Sequence, residues 1–296
     1  MTFKDDLEKY PQPGPEREKF ILNKILSLPK EQIVKNLKPI TISQSDGSSI
    51  IYKIMPDYLS IDNIRIPMSG KTAQIVADHF GLSIPTPKLT DDIYRHSDVQ
   101  IDAYPLSGTG VKLQNGTYFS PKQVVDKGVG YAPFVNAYNE RINKQLSDNN
   151  VKPNQIVSGF CKDITTPQAP GKLGLYGFFR KDRDKPIQYS AFTPHDIENH
   201  SEYGAFLRLI SPDVEVVSKD GSIEKKNISE VQNITRYTAK PSGTTSLLQL
   251  SPKYPTGTTQ SPQSKPSYTA KAPQQSPSGR QSFLSRIDSF ISQFNI

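Results

Sequence analysis

A chain of 296 residues is long enough for one or two domains with a sizeable core, and its single cysteine excludes an intramolecular disulfide. The net charge of +7 is uneven, because residues 238–296 hold six basic residues and one acid and leave only +2 for residues 1–237. A basic groove on the body, typical of nucleic-acid-binding domains, is therefore not predicted.

The N-terminus lacks the apolar stretch that follows the basic residues of a secretory signal. Nowhere do about 18 apolar residues run together, so no transmembrane helix is predicted. We expect a soluble chain that stays in the cytoplasm of its producer or is exported by a route that reads no N-terminal leader.

The first half of the chain alternates helix and strand signals. Apolar spacing of three and four, together with capping residues, predicts helices at 16–28, 70–80, from Thr90, from Ser120, and at 131–146. Period-two patterns bounded by turn residues predict strands at 39–43, 50–55 and 58–66.

Residues 69–72, Ser-Gly-Lys-Thr, match the end of a phosphate-binding loop. That loop needs a glycine five residues before Gly70, where this chain has Arg65. We therefore predict an ordinary helix start, with Gly81 at the helix C-terminus. The apolar spacing predicts a helix face formed by Ile75, Val76, His79 and Phe80.

The second half of the body is richer in strands. Alternating patterns predict strands at 155–163, 172–180, 186–192, 207–210 and 214–217, with Asp220-Gly221 closing a hairpin. The succession predicts an α+β fold, with an antiparallel or mixed sheet and helices on one side. We assign residues 1–44 to an N-terminal helical extension and residues 45–237 to the α+β domain.

The C-terminal fifth differs in composition. Residues 238–279 are rich in Ser, Thr, Pro, Gln and Gly, which predicts a disordered basic linker that touches a polyanion weakly, is phosphorylated, or is only a flexible connection. Residues 280–296 predict an amphipathic helix, whose apolar face is Phe283, Leu284, Ile287, Phe290, Ile291 and Phe294. Its few charges favour docking on a protein partner or on the body over membrane binding.

Residues 195–203 form the densest cluster of titratable side chains in the body. His195 and His200 are five residues apart, so one helix cannot present both to a metal. The cluster predicts either a polar surface loop or an acid/base pair of His195 with Glu202 or Asp163. Cys161 is interpreted as a small core residue rather than a nucleophile. No metal or cofactor is predicted.

Several short runs carry a further signal. They are PDYLSI at 56–61, RIPM at 65–68, TAQ at 72–74, VAD at 76–78, Gly81, PT at 85–86, Lys88, DIY at 92–94, VSG at 157–159, KD at 162–163, YG at 176–177, PIQ at 186–188, EY at 202–203 and RL at 208–209. Over about residues 45–235 they resemble a family of uncharacterised bacterial proteins, often exported and reminiscent of cell-surface hydrolases.

The resemblance also shows a departure. Members of that family place a histidine near Phe160 and an Asp-Tyr-Ser-His-Gly run where this chain has Glu-Tyr-Gly-Ala-Phe at 202–206. Those histidines would be the natural acid/base groups. Their absence implies that this chain has lost the activity or relocated it.

Two functions are therefore predicted. The first is an exported bacterial protein that acts on or recognises a cell-surface polymer, as a degenerate hydrolase, with a cleft lined by Lys162, Asp163, His195, Glu202 and Tyr203. The alternative is a non-enzymatic secreted effector or adaptor. Its basic tail and residues 280–296 would then serve as a secretion signal or a hook for a protein partner.

Overall fold

The computed structural model describes residues 2–10, 14–104, 106, 111–112, 118–119, 131–167, 174–183, 186–187, 201 and 203–232. The chain divides into residues 1–252 and 253–296, and every described residue belongs to the first part. The predicted linker, the predicted terminal helix and the predicted helix from Ser120 lie outside the described residues.

The described helices and strands confirm the α+β class. The helices are α1 Phe3–Leu7, α2 Pro15–Leu26, α3 Lys30–Lys35, α4 Gly70–Phe80, α5 Pro87–His96, α6 Tyr131–Asp148 and α7 Ile228–Val231. The strands are β1 Lys38–Ser43, β2 Ser49–Ile54, β3 Ser60–Ile61, β4 Ile64–Arg65, β5 Val99–Gln100, β6 Val111–Lys112, β7 Tyr118–Phe119, β8 Val157–Ser158, β9 Lys162–Thr165, β10 Gly174–Gly177, β11 Ala205–Phe206, β12 Asp213–Val217 and β13 Ile223–Asn227.

One sheet has four antiparallel strands in the order β1-β2-β12-β13. Its inward side chains alternate with exposed ones, as expected for a sheet with one covered face. They pack against Leu89 and Ile93 of α5 in one buried cluster. The predicted hairpin turn at Asp220-Gly221 is confirmed, since β12 and β13 pair on either side of it.

The second sheet has three strands in the order β10-β9-β11, and β9 is its central strand. It is mixed, because β10 runs antiparallel and β11 parallel to β9. All described residues of these strands are buried. The sheet therefore lies inside the body, and any polar side chain on β9 must find its partners there.

Gly159 corrects the prediction of one strand across residues 155–163. It has a φ of +110°, and a Cβ built there would lie 2.3 Å from the carbonyl oxygen of Ile101. Only glycine fits such a bend. The chain therefore turns between β8 and β9, and Cys161 lies in this bend rather than in a strand.

The predicted strand at 207–210 is also corrected. The paired strand β11 lies earlier, at Ala205–Phe206, and the later residues contribute only isolated bridges of Ile210 to Ile54 and Ser83. Of the predicted strand 186–192, only residues 186–187 are described, and they are not in a strand.

Helix α4 begins as an ordinary helix and ends as predicted. The Thr72 N–H donates to the Ser69 hydroxyl, and Gly81 ends the helix with a φ of +67°. The predicted buried face is wrong in part, because Ile75 is 39% exposed and His79 is exposed. The face that packs into the core includes two alanines, whose small side chains let the helix pack closely against its neighbours. This face comprises Ala73, Val76, Ala77 and Phe80.

Helix α5 starts earlier than the sequence suggested. Thr86, not Thr90, is its N-cap, since the Leu89 N–H donates to the Thr86 hydroxyl at 3.1 Å and Pro87 occupies the first helical position. Thr90 is consequently a buried residue inside the first turns of the helix. This shift gives Thr90 a partner on β9, described below.

The N-terminal helices share the main core with α4. Phe3 and Leu7 of α1 and Ile21 and Ile25 of α2 belong to the same buried cluster as the inner face of α4. Beside it, Glu18 accepts a hydrogen bond from the Ser69 N–H at 2.9 Å, which joins α2 to the start of α4. Strand β1 lies in the predicted extension of residues 1–44 and pairs with β2 in the predicted domain of residues 45–237. The two predicted segments therefore share one sheet.

Candidate functional site

Strand β9 carries two of the five predicted site residues, Lys162 and Asp163. Successive side chains of a strand point to opposite faces, so these neighbours do not line one cleft. Lys162 is 5% exposed and Asp163 is 1% exposed. The candidate site therefore consists of two buried environments, one on each side of the same strand.

The Asp163 side of β9 is a closed hydrogen-bond cluster. The Tyr58 hydroxyl donates to Oδ1 of Asp163, and the Thr90 hydroxyl donates to Oδ2 at 3.1 Å. Burial raises the pKa of Asp163, although the nearby Arg208 and the two hydroxyl donors oppose that rise. Burial, reinforced by the charge of Asp163, also raises the pKa of Tyr58 well above its usual value. The phenol is therefore a hydrogen-bond donor at any ordinary pH.

Arg208 links this cluster to two chain segments. One guanidinium nitrogen donates to the carbonyl oxygens of Met55 and Pro56 at 2.6 and 3.0 Å, and another donates to Val157 at 2.7 Å. The guanidinium carbon lies 4.3 Å from the centroid of the Tyr58 ring. Because the side chain is fully buried, Arg208 is a structural tie that holds Tyr58 against Asp163.

A second arginine, Arg65, is also buried. Arg65 on β4 pairs with both carboxylate oxygens of Asp57 and donates to Asn143 of α6 at 2.8 Å. The side-chain oxygen of Asn139 accepts the Arg65 N–H at 2.8 Å, and its amide nitrogen donates to the Arg65 carbonyl at 3.1 Å. Through Arg65, these bonds hold the loop that contains Tyr58 against α6.

The Lys162 side of β9 is aromatic. The Lys162 ammonium lies 5.1 Å from the centroid of the Phe178 ring. Its partners across the sheet are Gly177 and Ala205, whose small size leaves room beside the lysine. Burial lowers the pKa of Lys162 from 10.5 to about 7. A lysine of this kind is largely an uncharged amine above neutral pH, which is the form that accepts a proton or attacks a carbonyl.

Tyr203 belongs to the same aromatic region as Lys162. Its ring packs against Tyr138 with centroids 5.3 Å apart, and Tyr138 also makes an edge contact with Phe178. Tyr203 is thus connected to Phe178 through Tyr138, and Tyr138 also stacks on Phe206 with ring centroids 6.2 Å apart. The grouping of Lys162 with Tyr203 stays a prediction. His195 and Glu202 lie outside the described residues.

Cys161 is buried, as interpreted from the sequence. Burial raises the pKa of its thiol well above the usual value, and the neighbouring Asp163 charge adds to the rise. A reactive cysteine needs a lowered pKa and access to solvent. Cys161 has neither, so it acts as a core side chain.

Within the part of the chain that the structure describes, no group of three or more His, Cys, Asp or Glu side chains could hold a metal ion. Over the same residues, no helix is long and apolar enough to cross a membrane. Comparison of the chain with protein-family models, curated proteins and solved structures gives no match.

Three members of the Asp163 cluster were not predicted as site residues. Tyr58 and Arg208 occurred in the short runs that carried the family resemblance, and this was the only signal for them. The sequence predicts Thr90 as a helix cap. Their convergence depends on contacts between distant segments, since Thr90 and Asp163 are 73 residues apart.

Proposed function

We propose that this chain is an exported bacterial protein that recognises a cell-surface polymer and is built on a hydrolase-like body that does not use Asp163 for catalysis. The observation that carries the proposal is the position of Asp163. Both of its carboxylate oxygens accept hydroxyl hydrogen bonds, and the residue is 1% exposed.

A catalytic acid or base must lie within hydrogen-bond reach of a substrate proton. Asp163 is instead enclosed by Tyr58, Thr90 and the buried guanidinium of Arg208. Its neighbours support a role in holding together the loop at 55–58, helix α5 and strand β9. Loss of the acid/base histidines expected from the family resemblance is consistent with this use.

Lys162 is also buried, but its amine makes it the residue to test for any retained reaction. Burial lowers its pKa to about 7, so both the protonated and the uncharged amine are populated near neutral pH, and Tyr203 lies in a connected group of aromatic rings. A general base with a pKa near the working pH is the most effective one. A variant at Lys162 can therefore distinguish a binding protein from an active enzyme.

The test uses the purified full chain and insoluble envelope polymer from its producer. We expect the chain to sediment with the polymer and to release no soluble fragments. Lys162→Met should sediment equally well, as should Lys144→Met, a control at an exposed position of α6. No retention on the polymer would refute recognition. Fragment release that disappears in Lys162→Met alone would show an active enzyme.

The alternative function is a secreted effector or adaptor that uses its tail. It is favoured by the concentration of positive charge in residues 238–296 and by the helical spacing of apolar residues within 280–296. Export of the full chain should then fall when Phe283, Ile287 and Phe290 are changed to serine. Equal export and equal recovery of bound proteins would remove this function.

A further inference from the structure

A cleft runs along the free edge of strand β1. It has a volume of about 370 Å³, and its walls include Lys38 and Thr41 of β1 on one side and His96, Asp98, Asn154 and Ile156 on the other. Strand β1 is the first strand of the four-stranded sheet, so its outer side is an edge. The cleft therefore combines unpaired backbone with polar side chains.

The register of β1 shows which backbone groups face the cleft. Gln44 donates its N–H to Ser48 at 2.8 Å, which continues the hydrogen-bonded series of Lys38, Ile40 and Ile42 with β2. Pro39, which has no N–H, falls in the other series with Thr41 and Ser43. The backbone groups of these alternate residues point away from β2, and no described strand pairs with them.

The cleft contains one lysine, Lys38, and one carboxylate, Asp98. Lys38 has no ion pair among the described residues. Asp98 is already engaged, since its carboxylate accepts the Ile156 N–H at 2.6 Å. Nδ1 of His96 lies 2.8 Å from the Asp92 carbonyl oxygen and must donate to it, which leaves Nε2 for another partner.

We propose that the edge of β1 binds an extended acidic peptide of a partner protein as an added strand, with a peptide carboxylate paired to Lys38. Edge strands accept such peptides through main-chain hydrogen bonds, and adjacent pockets select side chains. The chain's own residues 238–296 do not fit this occupant, because they contain six basic residues and only one acid. Peptide binding here is independent of polymer recognition, since it uses neither face of β9.

Pro39 limits the added strand to a short segment. It offers a carbonyl oxygen at the edge but no donor, so pairing rests on Thr41 and Ser43. A proline at an edge also blocks indiscriminate strand pairing. The edge is therefore suited to a weak, selective partner rather than to continuous sheet growth.

Fluorescence anisotropy of the full chain with a labelled peptide, Thr-Val-Glu-Val-Thr, tests the proposal. The matched peptide has Gln in place of Glu. We expect the Glu peptide to bind and the Gln peptide to bind about tenfold more weakly, because its side chain cannot form the charge-assisted bond. Lys38→Gln should weaken the Glu peptide by the same factor, and Lys225→Gln on β13 should change nothing.

The backbone pairing has its own variant. Thr41→Pro removes an N–H that β2 does not use, and it should abolish binding of both peptides. If that variant does not fold, a peptide methylated on its backbone nitrogens gives the same readout with the unchanged protein. Absence of binding by the Glu peptide at about 1 mM overturns the proposal, as does equal binding by Lys38→Gln and Thr41→Pro. Sedimentation showing a dimer that Thr41→Pro disrupts, without peptide binding, would assign the edge to self-association instead.

Discussion

The two faces of β9 give neighbouring buried side chains different contacts. Asp163 has a hydroxyl donor for each carboxylate oxygen and a guanidinium nearby, whereas Lys162 lies over the ring of Phe178 with small residues on either side. Burial is nearly complete for both. The difference teaches that burial alone does not define a reactive site, because two neighbouring side chains that are both desolvated have different surroundings.

Arg208→Met should have the largest effect on stability. It leaves the carbonyl oxygens of Met55, Pro56 and Val157 without their donor and removes the cation beside Asp163. We expect the free energy of unfolding to fall by about 5 kcal/mol, measured by urea denaturation. Arg95→Met, at an exposed position of α5 that pairs with Asp92, is the control and should cost about 0.5 kcal/mol. Similar losses for both variants would contradict the role of Arg208.

Lys162→Met should stabilise the protein and change its pH dependence. The pKa of Lys162 is lowered from 10.5 to about 7, so between these values the unfolded chain binds more protons than the folded one. Stability of the natural chain should therefore rise with pH in that window and be lowest below it. Relative to the natural chain, the variant should gain roughly 4 kcal/mol at neutral pH, and this gain should shrink by about 1.4 kcal/mol per pH unit as pH rises.

The control for Lys162 is a lysine whose side chain is exposed. Lys35→Met on α3 should leave the slope of stability against pH unchanged. Denaturation curves at about pH 7 and about pH 9 are sufficient, since only the difference between variant and natural chain is used. A constant difference between the two conditions would show that Lys162 is not desolvated.

Asp163→Ala should destabilise the protein by about 3 kcal/mol, because the buried hydroxyls of Tyr58 and Thr90 lose their acceptor. Asp163→Asn keeps one acceptor oxygen and should cost less. Burial raises the pKa of Asp163, so the folded chain holds its proton more tightly than the unfolded chain, and this contribution to stability is lost as pH rises above 3.8. Asp163→Asn should remove that loss, which acid-range denaturation would detect.

Thr90→Val should have the smallest effect, about 1 kcal/mol, since it removes one hydroxyl donor and keeps the shape of the side chain. Its effect should not add to that of Asp163→Ala, because both changes delete the same hydrogen bond. A double-mutant cycle measures the coupling. Fully additive losses would show that the Thr90 hydroxyl does not stabilise the carboxylate.

Local features of the fold were predictable from the sequence. The stripe of Phe134, Val135, Tyr138 and Ile142 on α6, the Gly81 cap and the Asp220-Gly221 hairpin all depend on spacing or on turn residues within one short segment. The fold class followed from the order of these elements. Such features can be predicted because each depends on contacts close in sequence or on a single periodicity.

The candidate site was less predictable because long-range contacts assemble it. Lys162 and Asp163 were predicted to share a cleft, yet strand alternation separates them once the bend at Gly159 sets where β9 begins. The first turn of α5 was shifted by the cap at Thr86, and this is what turned Thr90 toward Asp163. No local pattern reports a hydroxyl that meets a carboxylate from a distant strand.

Lys162 is a desolvated amine with a pKa near neutral pH, and the neighbouring carboxylate of Asp163 has a structural role. Carbon-13 NMR of lysine-labelled protein, with Lys162→Met to assign the Cε signal, measures its titration directly. We predict a midpoint near the pKa of about 7, far from the ordinary lysine value of 10.5. A midpoint close to the ordinary value in the folded protein would contradict the account, since the aromatic side of β9 would then be open to water.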